Sequence, residues 1–367
     1  MHGGDHGARL AAIQQQATRI GVDAVLVTPG PDLRYLVGYD AVPLERLTCL
    51  VIPSTGDALL VAPRLEVLAA QASPVGALGM GIRDWGELDD PYALVASLCA
   101  GANRVAVDNH MWAEKVLALR AAMPGVDQVL AGPVISHLRM RKDPTEVAAL
   151  VAAGAAIDRV HAAVPGLLRP GRTEREVGAD IADLILAEGH VRVDFIIVGS
   201  GPNGASPHHE VSDRVIERGD VVVVDIGGTM PDGYRSDCTR TYAVGQPPAD
   251  FMSRYAALQE AQRAAVDHAR AGVTCESVDA AAREVLVEAG LGDLFIHRTG
   301  HGIGLETHED PYIVAGNSLV LDEGMAFSIE PGFYAEGRYG ARIEDIVIAT
   351  PEGVIVANQQ PRELVVA

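Results

Sequence analysis

Two aspartates, Asp225 and Asp237, lie in the stretch VVVVDIGGTMPDGYRSDCTRT from Val221 to Thr241. Four consecutive valines predict a buried strand. Met230-Pro231-Asp232-Gly233 predicts a turn, and Tyr234 to Thr241 returns with strand-forming residue types. The aspartates are equidistant from Pro231, so a symmetric hairpin sets them directly opposite each other, with Cβ atoms about 5 Å apart. Carboxylates that close, beside a run of valines, repel each other and are costly to desolvate unless something positive sits between them. A metal ion is the obvious candidate. The alternative is that one aspartate is a turn residue facing solvent.

Further ligand-type residues follow. The run HRTGHGIGLETHE holds His297, His301 and His308, spaced by glycines that permit close backbone approach. Any one of them alone reads as an ordinary core or surface histidine; with the aspartates they read as ligands and proton-handling groups. Glu330, in SIEPG, and Glu344, in ARIED, flank Gly337 symmetrically and repeat the aspartate geometry on a second predicted hairpin. Each lies among apolar residues, where a lone carboxylate is unfavourable. A strand pair salt-bridged through Arg342 is the alternative. Gly199 to Gly204 fits G-x-G-x-x-G after a predicted strand, but Pro207-His208-His209 follows where a helix N-terminus is needed to receive a pyrophosphate. The loop is better read as a sharp turn that presents His208 or His209.

The elements that must position these residues fall into two groups. Residues 1–138 alternate strands (Ala24–Thr28, Thr48–Ile52, Ala58–Ala62, Arg104–Asp108) with helices (Arg9–Ile20, Arg64–Ala72, Tyr92–Ala100, Ala113–Ala122), a small α/β domain ending near Gly132. Residues 139–367 open with Asp143-Pro144-Thr145-Glu146, a helix start with its N-cap, its first-turn proline and its capping glutamate; Thr173–Glu176 is a second capping box. Long helices to about Val164 and across Met252–Ala271 and Ser277–Ala289, strands at Val191–Val198 and Val221–Ile226, and a β-rich end predict an α+β domain.

The 29 Lys and Arg against 49 Asp and Glu leave a net charge of −20, which argues against a nucleic-acid surface. Cys49, Cys99, Cys238 and Cys275 stand singly, without metal-knuckle or disulfide spacing, and read as reduced thiols. No apolar leader opens the chain, and the apolar run Val147–Ile157 is too short to span a bilayer, so a soluble cytoplasmic protein is expected.

YRSDCTRT, HRTGHGIGLETHE, SIEPG and ARIED, in this order, resemble the pita-bread metallopeptidases: Xaa-Pro dipeptidases (prolidases), aminopeptidase P and methionine aminopeptidase. The resemblance runs from the Asp143 helix to the C-terminus and extends, through Tyr35-Leu36-Val37-Gly38-Tyr39, to an N-terminal creatinase-like domain. It implies two divalent metal ions held by Asp225, Asp237, His301, Glu330 and Glu344, with Asp237 and Glu344 bridging. A mostly oxygen donor set favours Mn²⁺, with Co²⁺ or Zn²⁺ able to substitute. His208 and His308 match catalytic histidines, Glu330 is assigned proton transfer, and His297 matches a residue lining the site. The implied activity is hydrolysis of Xaa-Pro dipeptides by a metal-bridging hydroxide; the alternatives are aminopeptidase P activity on longer Xaa-Pro peptides and a non-catalytic binding protein on the same fold. A dipeptidase must recognise a free carboxylate, for which Arg46, Arg298 and Arg342 are candidates. Family dimers bring an N-terminal-domain residue to the partner's site, so a homodimer is implied and Arg46 is of interest. The interval between the aspartates is one residue longer than the family's usual hairpin, which predicts a bulge near Thr229–Gly233. Thr307 replaces the aliphatic residue usual before His308.

Overall fold

The computed structural model describes residues 5–367 and divides into two compact units, one ending at Arg139 and the other beginning at Met140. The first unit has helices α1 (His6–Arg19), α2 (Pro31–Val37), α3 (Val67–Ala72), α4 (Pro74–Ala77), α5 (Pro91–Leu98), α6 (Ala113–Ala122) and α7 (Gly132–Arg139). Its six strands, β1 (Ala24–Val27), β2 (Cys49–Pro53), β3 (Leu59–Pro63), β4 (Gly81–Trp85), β5 (Arg104–Val107) and β6 (Asp127–Leu130), form one mixed sheet in the order β4-β3-β2-β1-β5-β6. The central strands are the apolar ones, and they carry the core with Leu26, Val51, Val61 and Val107. The two edges, β4 and β6, are largely exposed and lack apolar alternation, so sequence periodicity does not reveal them. The unit also continues past Gly132 through α7.

The second unit repeats one plan twice: a helix pair covers a sheet that carries ligand-type residues on its other face. Helices α8 (Pro144–Leu167) and α9 (Glu174–Ala187) both start with complete capping boxes, at Asp143 with Glu146 and at Thr173 with Glu176. They cover β7 (Arg192–Ser200), β8 (Val221–Thr229) and β9 (Arg235–Ala243), with Ile157, Val160 and Ile181 packed on Val222, Val224 and Ile226. α8 is long and apolar enough to cross a membrane by length and composition, but it is a core helix here. Its buried His161 lies 2.9 Å from the Tyr242 hydroxyl and 3.0 Å from the Cys238 carbonyl. Helices α10 (Phe251–His268) and α11 (Cys275–Glu288) cover a second sheet built from β10 (Gly300–Gly302), β11 (Glu309–Ile313), β12 (Ala326–Ile329), β15 (Asp345–Ala349) and β16 (Val354–Val356). The hairpin β13 (Gly332–Ala335) to β14 (Tyr339–Arg342) rises between β12 and β15, and β17 (Val365–Val366) closes the first sheet beside β9.

The register of the β8–β9 hairpin corrects the sequence expectation. Asp225 pairs with Thr239 and Asp237 with Gly227, so the aspartates are diagonal neighbours rather than opposite. The hairpin is centred on Asp232, not Pro231, because Pro231-Asp232-Gly233 forms a three-residue loop: the Met230 N–H donates to the Tyr234 carbonyl and Gly233 takes a left-handed φ of 95°. A shift of two positions preserves side-chain parity, so both aspartates still face away from the α8–α9 core. No bulge interrupts this ladder at Thr229–Gly233. The register shift lies instead on β7, between Val193 and Phe195.

The G-x-G-x-x-G run serves close packing. A Cβ on Gly340 of β14 would lie 2.0 Å from the Gly204 carbonyl oxygen, so the two backbones can touch only as glycines. All four cysteines are free and buried.

Candidate active site and metal centre

The residues singled out in the second unit converge on one cleft of 1220 Å³, whose lining includes Asp225, Asp237, His301, Glu330, Glu344, His208, His297, His308 and Arg342. Asp225 and Asp237 reach it from β8 and β9. Glu330 and Glu344 come from the break between the β12–β15 and β13–β14 ladders. Ile329 pairs with Asp345 and Gly332 with Arg342, so both ladders keep the centre at Gly337 and the glutamates flank it as expected. His301 sits on β10 between two glycines that admit no side chain: a Cβ at Gly300 would fall 1.8 Å from the Ser328 carbonyl oxygen, and one at Gly302 would fall 2.2 Å from that of Asp310.

Ligand atoms of Asp237, His301 and Glu344 all lie within 4.8 Å of one another. His301 Nε2 is 3.3 Å from a Glu330 oxygen and 3.7 Å from an Asp237 oxygen. His301 Nδ1 lies 3.1 Å from the Gly302 carbonyl and must carry the ring proton to bond it. Burial, and next the neighbouring His308, lower the His301 pKa to about 3, so at neutral pH Nε2 has no proton and turns a lone pair toward two carboxylates. That contact needs a proton or a metal cation between the lone pair and the carboxylates. Burial, followed by Glu344, raises the pKa of Asp237 well above the carboxylate range; burial, followed by Glu330 and Asp225, does the same to Glu344. Glu330 is pushed up to about 7 by burial, against the pull of Arg342. One oxygen each of Asp225 and Glu344 is buried with no hydrogen-bond partner, a costly state that a ligated cation would relieve. The donor set therefore fits divalent metal.

Arg342 is buried, and its guanidinium is committed: it donates to Asp225, to the Tyr334 hydroxyl at 2.8 Å and to Thr239 at 3.1 Å. Tyr334, absent from the sequence reading, links it to His297, whose Nε2 is 2.8 Å from the same hydroxyl. His297 Nδ1 faces the Arg298 carbonyl at 2.7 Å and so holds the proton, which leaves Nε2 to accept from Tyr334. Burial and the Arg342 charge lower the His297 pKa to about 4. His308 packs on His301 with ring centroids 4.0 Å apart. His208 lines the cleft from the turn after Gly201–Ala205. That turn is held by the buried carboxylate of Glu174, which accepts from Ser200, Asn203, Ser212 and, at 2.7 Å, His209. Glu174 also escaped the sequence reading, because its role depends on the fold rather than on spacing. Thr239 donates to Glu344 at 2.7 Å and ties the two sheets together. Arg46 belongs to the first unit, where Glu45 and Glu87 hold it at 2.8 and 3.0 Å.

The model of metallopeptidase family M24 matches residues 148–351, and that of the creatinase/prolidase N-terminal domain matches residues 9–141. The chain belongs to metallopeptidase family M24. It is 56% identical over 362 residues to a "Probable dipeptidase PepE" of Mycobacterium tuberculosis, covering 98% of this chain and 96% of that one. A crystal structure of dipeptidase PepE from Mycobacterium ulcerans superposes with a TM-score of 0.95 at 56% identity, covering 98% and 97% of the two chains. An Xaa-Pro dipeptidase of Lactobacillus helveticus is 35% identical, covering 97% and 98%. The fold is thus a creatinase-type N-terminal domain followed by a pita-bread M24 domain, and the chain is an M24 metallopeptidase of the family that holds Xaa-Pro dipeptidases and aminopeptidase P.

Proposed function

We propose that the protein hydrolyses Xaa-Pro dipeptides, with Asp225, Asp237, His301, Glu330 and Glu344 holding two divalent ions, Mn²⁺ first among them. The observation that carries this reading is His301 Nε2 lying 3.3 Å from a Glu330 oxygen and 3.7 Å from an Asp237 oxygen, beside buried carboxylate oxygens without partners. The residues match an all-oxygen-plus-one-imidazole set, which suits Mn²⁺ and accommodates Co²⁺ or Zn²⁺. Bound ions supply Lewis acidity at the scissile carbonyl and lower the pKa of water at the site.

The chain's own groups do the rest. Glu330, steadied at 3.1 Å by the Ser328 hydroxyl, carries a proton from the attacking water to the leaving imino nitrogen. Burial and the Arg298 charge lower the His308 pKa, so His308 meets the substrate as a neutral imidazole that can donate one hydrogen bond to the developing oxyanion; His208, which also lines the cleft, grips the peptide. Arg342 and Tyr334 hold Asp225 and His297 in place. A cytoplasmic homodimer acting on short proline-containing peptides completes the proposal.

The test is Mn²⁺-dependent release of alanine from Ala-Pro and from Ala-Pro-Ala. Faster cleavage of the dipeptide is expected. Cleavage of the tripeptide alone would transfer the protein to aminopeptidase P activity, and inertness with every divalent ion would leave a binding protein.

A further inference from the structure

Helix α11 lends the cleft no lining residue, yet it carries a buried carboxylate that the reaction leaves without a task. Asp279 is 1% exposed. Its Oδ1 accepts from the Thr299 hydroxyl at 2.7 Å and from the Thr299 N–H at 3.1 Å, a donor shared with the Ile313 carbonyl at 3.0 Å. Arg283, one turn along the helix, donates to the two Asp279 oxygens at 2.8 and 2.9 Å. It also donates to the carbonyls of Phe295 and His297 at 3.2 and 2.9 Å, and lies over the Phe295 ring. One carboxylate and one guanidinium thus hold the stretch 295–299, which has neither helix nor strand of its own.

That stretch leads into the metal centre. The Thr299 carbonyl accepts the Glu330 N–H at 2.8 Å. Two residues on, the His301 N–H donates to the Ser328 hydroxyl at 3.0 Å, and that hydroxyl donates to Glu330 at 3.1 Å. Thr299, His301 and Glu330 are therefore tied together, and Asp279 ties them to α11. Only a carboxylate can accept from Arg283 and Thr299 at once; an amide in its place would turn an NH₂ toward one of these donors. An ordinary i,i+4 ion pair is solvated and touches nothing else. We propose that Asp279 is a positioning residue, which acts through Thr299 to set Glu330 and His301 for metal binding and proton transfer. The proposal rests on the metallopeptidase reading above.

The test compares the full-length protein as wild type, Asp279→Asn, Thr299→Val, Thr299→Ser and the Asp279→Asn/Thr299→Val double variant. Mn²⁺ is titrated calorimetrically into the metal-free proteins, and kcat and KM are measured on Ala-Pro at saturating Mn²⁺. Asp279→Asn should weaken Mn²⁺ binding about 10- to 100-fold and lower kcat about 10-fold, with KM within about threefold of wild type. Thr299→Val should show the same losses, and Thr299→Ser, which keeps the hydroxyl, should recover most of them. The double variant should be little worse than either single one, because the two side chains form one link. Melting temperature alone does not decide, since loss of a buried pair lowers it whatever its role. Mn²⁺ binding and kcat within about threefold of wild type in Asp279→Asn, or losses that multiply in the double variant, overturn the proposal. If Asp279→Asn does not fold, Thr299→Val decides by the same limits. If the wild type binds Mn²⁺ but cleaves no dipeptide, the Xaa-Pro reading fails, while weakened Mn²⁺ binding in Asp279→Asn still upholds the positioning role; if it binds no divalent ion, both fall.

Discussion

The two arms that bring carboxylates to the cleft are built differently. Asp225 and Asp237 stand inside the uninterrupted β8–β9 ladder, where the short side chains go wherever the register points them. Glu330 and Glu344 stand at the break between two ladders, and hydroxyls rather than register steady them: Ser328 for one and Thr239 for the other. The arms differ in charge as well. One oxygen of Asp225 has Arg342 as a close partner, whereas Glu344 has only the Thr239 hydroxyl; the second oxygen of each is buried with nothing to bond. A rigid arm with a close Arg342 contact thus faces an adaptable arm that Arg342 reaches only at 3.9 Å, through Glu330; both leave buried carboxylate oxygen without a partner, and a cation is what they need in common.

Removing a ligand from the rigid arm should have the largest effect. Asp237→Ala is expected to lose metal and to drop turnover on the order of 10³-fold or more, because neither β9 nor its neighbours can move to replace the carboxylate. Metal analysis and Ala-Pro kinetics check this. Normal metal content with full activity would refute the role of Asp237 as a ligand.

The partner exchange at Asp225 comes next. Arg342→Met leaves Asp225 charged, buried and unpaired, a change that costs about 3–5 kcal/mol. If Asp225 transfers its charge to an ion when metal binds, that penalty should shrink in saturating Mn²⁺. Urea unfolding with chelator and with Mn²⁺ measures both values, and equal penalties would mean that Asp225 keeps Arg342 as its only partner.

The contrast between the arms also marks what could be read from sequence. The second-unit helices were legible because capping boxes and apolar periodicity are local signals, and Glu330 and Glu344 were placed correctly about Gly337 because that hairpin has a symmetric loop. The aspartate register was misplaced by two positions, since a three-residue loop with left-handed Gly233 and a symmetric turn at Pro231 are nearly indistinguishable in composition. Tyr334, Glu174 and Thr239 were invisible for another reason. Each acts on a partner more than thirty residues away, and nothing in their local spacing announces it. The three candidate arginines illustrate the same limit: only folding shows that Arg342 is already occupied and Arg298 is not.

The adaptable arm depends on close backbone contact behind it, and the contact can be probed alone. Gly340→Ala forces a Cβ to within 2.0 Å of the Gly204 carbonyl oxygen, so β14 must shift, at a cost of about 1–3 kcal/mol. Gly353→Ala, with nothing within 4 Å of the new Cβ, should stay within about 0.5 kcal/mol of wild type. Equal melting temperatures for the two variants would show that this packing does not fix the hairpin.

The smallest effect concerns the support of the rigid arm. Buried His161 joins α8 to β9, and burial followed by the Arg240 charge lowers its pKa to about 3, against an ordinary value near 6.5 in the unfolded chain. Between these values the unfolded chain binds one proton more, so this contribution is fully present above about pH 6.5 and is lost as pH falls toward 3, at a limiting slope of about 1.4 kcal/mol per pH unit. The raised carboxyls of the cleft act in the opposite sense, since they bind protons more readily when folded. Comparing wild type with His161→Gln in chelator cancels them, because both proteins keep all of those carboxyls. From pH 6.5 to 5.5 the wild type should lose about 1 kcal/mol more stability than the variant, and superimposable pH profiles would show that His161 is not held neutral beneath the aspartate ladder.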